Sequence, residues 1–116
     1  MMKKLLTAVA VLALSGCASI QIPPERLERS QASIRGAEEL GASGVPAAKL
    51  HLQLAKDQTE AAKQLAEQGD DRAILVMARA ESDAELALVL AREVSTHREA
   101  MQAAEDLKAV QSRGTP

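Results

Sequence analysis

The chain has no phenylalanine, tyrosine or tryptophan, and only one cysteine, four prolines and six glycines among its 116 residues. Without aromatics it lacks the side chains that bury the most area and that line most small-molecule pockets, so an enclosed ligand site is disfavoured. A lone cysteine excludes an intramolecular disulfide. No apolar run reaches the ~20 residues that a helix needs to cross a hydrocarbon core ~30 Å thick. Positive charge is not in excess either. The 14 Lys and Arg are outnumbered by 16 Asp and Glu, without the clustered basic surface that phosphate-backbone ligands require. What remains is rich in Ala, Leu, Glu, Lys, Gln and Arg, residues that favour helix, and poor in those that favour strands. The expected fold class is all-α.

The N-terminus is organised differently from the rest. Lys3 and Lys4 give it a short cationic start, and Leu5 to Leu14 is apolar except for Thr7. That run is about half the length of a membrane span and fits the apolar stretch of a secretory signal. Leu14-Ser15-Gly16-Cys17 resembles a lipobox, the bacterial pattern at which the cysteine thiol receives diacylglycerol and the leader is cut just before it. The resemblance implies that Cys17 becomes the diacylglyceryl and N-acyl anchor. Each buried acyl CH₂ contributes ~0.8 kcal/mol, so three palmitate-like chains hold a protein firmly to its bilayer. By similarity to known sorting rules, Ala18 in place of an aspartate implies delivery to the outer membrane of a diderm cell, on its periplasmic side; in a monoderm cell the same anchor implies the outer face of the plasma membrane. The expected organisation is a signal peptide over 1–16, a lipid-anchored linker over 17–23, a helical domain over 24–111 and a disordered tail over 112–116. Residues 1–16 hold two lysines and no acid, so the segment from Cys17 onward carries a formal charge of -4.

Breakers and caps divide the helical part. Pro24 suits a first helical turn, where its missing N–H costs nothing. The first helix is predicted from Pro24 to about Leu40, with Leu27, Ile34 and Ala37 on one stripe and Gly41 to Gly44 ending it. Pro46 opens a second, to about Gln68, in which Ala47, Leu50, Leu54, Ala61 and Leu65 recur at helical spacing. Gly69 closes it. Asp70 is the expected N-cap of a third, reaching about Val110 with no Gly or Pro in between. Its inner face is predicted as Ala73, Met77, Ala80, Ala84, Ala87, Ala91, Val94 and Met101, the four- and three-residue steps of an antiparallel seam. Leu75, Leu86 and Val89 lie on a different face, which either the first helix or another chain must cover. Beyond Val94 the pattern thins, giving a solvated extension or a self-associating arm.

No residue group names a reaction. His51 and His97 each lack a second His or Cys at helical spacing, as a zinc site needs, and solvated or edge positions are expected for both. Glu81, Asp83 and Glu85 alternate along a helix and so point in different directions; a solvated face with Arg79 and Arg92 nearby is expected. There is no Ser-His-Asp order, no phosphate loop and no Cys-His pairing. A non-enzymatic protein with no catalytic residue, cofactor or metal is the reading.

Ala32 and Ala37 followed by Gly41-Ala42, Pro46 at a helix start, Gly69-Asp70 at a turn and Asp83-Ala84-Glu85-Leu86-Ala87 together resemble a family of short alanine-rich bacterial lipoproteins of unassigned function. The similarity runs from Pro24 to about Arg92. Some members carry an OmpA-like peptidoglycan-binding domain; this chain has none, and position 45, often aromatic in the family, is Val45. Gly69-Asp70 followed by Ala73, Ala80 and Ala84 also resembles the turn and second helix of a tetratricopeptide-type repeat. Only one such hairpin fits, whereas stacks need three or more.

Two functions follow as expectations. The first is an anchored helical interaction or scaffold module facing the periplasm, with Leu75, Leu86 and Val89 as the partner face. The second is a structural lipoprotein whose third helix self-associates as a coiled coil, loosely resembling the trimeric lipoprotein of outer membranes. That protein ends in a lysine joined to peptidoglycan; this chain ends Arg113-Gly114-Thr115-Pro116, so covalent attachment to the wall is not expected, and peptidoglycan remains a partner without direct support. Membrane lipid held through Cys17, and a periplasmic protein or a second copy, are the implied partners; nucleic acid is not. An accessory hydrolase or ligand-binding role has the least support.

Overall fold

The computed structural model describes residues 19–114, and among them there are helices and no strands. Helix α1 spans Pro24–Glu39, a 3₁₀ turn spans Ala42–Gly44, α2 spans Pro46–Glu67 and α3 spans Arg72–Arg113. Each boundary has a local cause. Pro24 and Pro46 stand at the first helical positions of α1 and α2. Val45 is extended (φ -111°, ψ 108°), as the residue before a proline is pushed to be. Gly41 and Gly69 adopt positive φ, 78° and 72°, a conformation that carries no Cβ penalty in glycine. At the end of α2 the Gly69 N–H donates to Ala66 O (3.0 Å) and the Asp70 N–H to Leu65 O (2.9 Å), the paired bonds of a Schellman ending.

The N-cap position of α3 is Asp71, which makes no side-chain capping bond, so the expectation of Asp70 is off by one. Asp70 instead ties the turn to the first helical residue. Its Oδ1 accepts from the Arg72 backbone N–H at 3.0 Å and from the same residue's guanidinium, with Nη2 to Oδ2 at 2.6 Å. Those bonds from Arg72 hold the Asp70 carboxyl below the usual carboxylate range, the side-chain bond being the larger cause.

α3 is the element on which the other two are built. It packs most extensively against α2 and next against α1, while α1 and α2 meet far less. Ala48 and Leu52 cluster with Ala87 and Ala91, whereas Ala62 clusters with Met77 and Ala80. α2 therefore runs antiparallel to α3. Ala37 joins the first cluster and Leu27 the second, so α1 runs parallel to α3. Close approach of the helices dictates the residue types. Ten of the twelve buried apolar residues are alanines, and Met77 is the largest fully buried side chain. Gly36 lies within α1 for the same reason: a Cβ there would meet Leu88 Cδ1 at 3.1 Å.

The α3 seam is buried at Ala73, Met77, Ala80, Ala84, Ala87 and Ala91, as expected, but Val94 (36 % exposed) and Met101 (53 %) are not part of it. Val94 lies at the edge of the body, with Val45 and Ala47 beside it, and Met101 lies beyond the reach of α1 and α2. The stripe expected for α2 is also corrected. The buried set is Ala48, Leu52, Ala55, Thr59 and Ala62, while Ala47, Leu50 and Leu54 are exposed and Ala61 and Leu65 half-buried. Leucines draw the eye as core residues, yet a seam this close admits the smaller alanines and leaves the leucines at its margins. α1 behaves likewise. Ser30 and Ser33 are buried beside Ala37, with Leu27 and Ile34 only half-buried.

Past about Val94, α3 continues to Arg113 as a bare helix in which every residue from Thr96 onward is exposed. At ~1.5 Å per residue its 42 residues span about 63 Å, against about 33 Å for the 22 of α2. The other end of the body is strapped by the N-terminal segment. The Ile20 N–H donates to Ala66 O at 3.3 Å, and Ile22 packs on the Ala62, Met77 and Ala80 cluster.

Candidate functional site

Cys17 and the Leu14, Ser15 and Gly16 that precede it lie outside the described residues. The described residues offer two other features: a polar network inside the body, and an apolar stripe on the outside of α3.

The network joins all three helices. His51 Nδ1 lies 2.7 Å from Asp83 Oδ1, and Gln58 Nε2 donates to Asp83 Oδ2 at 2.9 Å. Gln58 Oε1 is buried with no hydrogen-bond partner. Next to Gln58 along α2, Thr59 Oγ1 donates to Ala55 O at 2.7 Å and lies 3.4 Å from Ser30 Oγ. Glu81, on the α1 side of α3, lies 2.5 Å from Arg29 Nη1 and 3.8 Å from Arg26 Nη1. Lys56 of α2 pairs with Glu38 of α1. Glu81 and Asp83 are only 12 % and 19 % exposed at the side chain. The solvated acidic face expected for Glu81, Asp83 and Glu85 is therefore corrected for the first two, which tie α3 to α1 and α2; Glu85 alone is exposed. His51, expected at a solvated edge, is half-buried and bonded, whereas His97 is exposed.

Sequence reasoning had no signal for these pairs. Asp83 and its partners lie 25 and 32 positions apart, and Arg29 and Glu81 lie 52 apart. Only the register of α1 and α2 on α3 brings them together. A histidine oriented by a carboxylate is half of an acid–base device. Here the contact with Asp83 joins α2 to α3, and among the described residues no hydroxyl or thiol is bonded to the imidazole. Nor is there, among the described residues, a group of three or more His, Cys, Asp or Glu placed to hold a metal ion.

The stripe is of another kind. Leu75 is 56 % exposed, Leu86 41 % and Val89 55 %, all on the face of α3 turned away from its buried alanines; α1 does not cover them. An open, mainly apolar groove lined by Val89, Arg92, Glu93, Thr96, His97 and Ala100 continues the same face along the helix. Farther on, Leu107 and Val110 are 58 % and 65 % exposed. A second shallow groove lies where Val45 and Ala47 meet Leu90, Val94 and His97, at the level where the body ends. No described helix is long and apolar enough to cross a membrane. Comparison of the chain with protein-family models, with curated proteins and with solved structures gives no match.

Proposed function

We propose that this chain is a lipid-anchored helical interaction module of the bacterial envelope, with no catalytic activity. The observation that carries the proposal is the row of large apolar side chains left open on α3, Leu75, Leu86 and Val89. Singly exposed apolar residues are ordinary, but a row at helical spacing on the outer face of a long helix suits contact with another protein. Acylation of Cys17, outer-membrane residence on the periplasmic side, a leader helix in residues 1–16 and tetratricopeptide-like packing of the α2–α3 pair all belong to this proposal. So does the similarity to short alanine-rich lipoproteins. The strap supports the anchored geometry. With Ile20 bonded to Ala66, residues 17–20 allow a reach of only about 10 Å at 3.3 to 3.6 Å per residue. The α2–α3 turn then sits at the bilayer, and the arm of α3 is displayed away from it.

Two measurements test this. Metabolic labelling with a fatty acid should mark the wild-type chain and fail to mark Cys17→Ser, which should also leave the membrane fraction; an unlabelled wild-type chain refutes the anchor. A photo-reactive residue at Val89 should form protein adducts in cells that one at the exposed Gln53 of α2 does not. Equal yields at the two positions refute the interaction face.

A further inference from the structure

The apolar stripe changes sides along α3. Within the body the apolar seam is the buried row Ala73 to Ala91. Its continuation past Val94 would be Arg98, Met101, Glu105 and Lys108, three charged residues and one methionine. On the opposite face, Leu86, Val89, Thr96, Ala100, Ala103, Leu107 and Val110 recur at three- and four-residue steps, all exposed, interrupted once by Glu93. This is a second seam, about 25 residues or some 37 Å long. It is flanked along one side by Glu85, Arg92, Glu99, Asp106 and Arg113. None of these forms an ion pair among the described residues, and Glu99 accepts a hydrogen bond from the Ser95 hydroxyl at 3.2 Å.

We infer that the occupant of this seam is a second copy of the same chain, packed antiparallel. The inference rests on the proposed interaction face and names its partner. Charge selects the orientation. With the two-fold axis near residue 98, Leu86 meets Val110 of the second copy and Val89 meets Leu107. In the middle, Thr96 faces Ala100, and Glu93 faces the small Ala103 rather than another acid. The flanking charges then pair as Arg92 with Asp106 and Glu85 with Arg113, each twice by symmetry. Glu99 meets its own copy at the axis, the one contact between like charges. A parallel pair in the same heptad frame would set Glu93 against Glu93 and offer Arg92 only His97, with no ion pair along the flank. Shape agrees with charge. The body of each copy ends near Val94, short of the axis, so the two bodies occupy opposite ends of the rod and do not collide.

The test uses the full-length chain in detergent, with Cys17→Ser so that added thiols are the only ones. Sedimentation should show a concentration-dependent dimer. Arg92→Glu should weaken it about tenfold, as expected when two flanking attractions become repulsions, and adding Asp106→Arg should restore it. Glu99→Gln should tighten the dimer by relieving the contact at the axis. Under mild oxidation Glu99→Cys should form a disulfide-linked dimer, and Val110→Cys should not, because its mate is Leu86. A monomer at every concentration, including one whose stripe is covered by the chain's own apolar Leu5 to Leu14 segment, overturns the inference. So does cross-linking through Val110→Cys, or an Arg92→Glu defect that Asp106→Arg leaves uncorrected. In-cell adducts at Val89 with another protein, alongside a monomeric chain, would retain the interaction module and remove only the self-pairing.

Discussion

The two halves of α3 are one continuous helix made from nearly the same residue types, and they live in different physical situations. Between Ala73 and Ala91 every third or fourth residue is fully buried; from Thr96 to Arg113 none is buried. In the first half, neighbours hold the helix, through close alanine contacts and the Glu81 and Asp83 bonds to α1 and α2. In the second half, only the backbone ladder and the helix preference of Ala, Gln, Glu, Leu and Lys sustain it. Isolated helices of that length are marginal in water because the first turn is costly to nucleate. The body supplies that nucleus, and the arm grows from it. Helicity along α3 is therefore a poor guide to local stability.

The largest contrast is expected from one residue type placed in both halves. Met77→Ala removes the largest fully buried side chain and should lower unfolding free energy by about 2–5 kcal/mol. In a core built mostly of alanine that is a large share of the total. Met101→Ala, on the exposed arm, should leave the urea midpoint unchanged within error. Equal losses in urea titrations followed by circular dichroism would erase the distinction between body and arm.

A smaller contrast separates two acids two residues apart. Asp83→Ala strands His51 and Gln58 and should cost about 1–3 kcal/mol, while Glu85→Ala should have no effect on the unfolding of the monomer. The same titration checks both, and an Asp83 variant as stable as Glu85→Ala would mean that the network contributes nothing to register.

The smallest effect is expected at the turn that starts the body. Asp70 is held below the usual carboxylate range by its bonds from Arg72. A group whose carboxyl is lowered in the folded state stabilises fully above its unfolded value, and that contribution fades as pH falls through the folded one. Wild type should therefore exceed Asp70→Asn in melting temperature at neutral pH, and the gap should close under acid conditions. A gap that persists in strong acid would show that the hydrogen-bond geometry alone, and not the charge, carries the stabilisation.

Legibility in the sequence followed the same division. Helix ends were readable because each has a local chemical cause: Pro24 and Pro46 at first turns, Gly41 and Gly69 at positive φ, and Asp70 bonded to Arg72 in the turn before α3, one residue ahead of the N-cap. The Ala73 to Ala91 seam was readable because its spacing is regular. The buried face of α2 was not, since Leu50 and Leu54 present as strong a periodic signal as Ala48, Ala55 and Ala62. Only the distance to α3 decides between them. Leu75, Leu86 and Val89 could be separated from the seam by spacing, but whether α1 covered them depended on where α1 docks.

By itself, then, the amino-acid order determined an all-helical chain, its breaks and the regular alanine row, because these depend on backbone preferences and on contacts a few residues apart. Tertiary structure decided which apolar faces are buried, that Asp83 meets His51 and Gln58 and Glu81 meets Arg29, and where the cover on α3 stops. Those outcomes hang on how closely and in what register separate helices approach, and a spacing of 25 to 52 residues along the chain carries no trace of that.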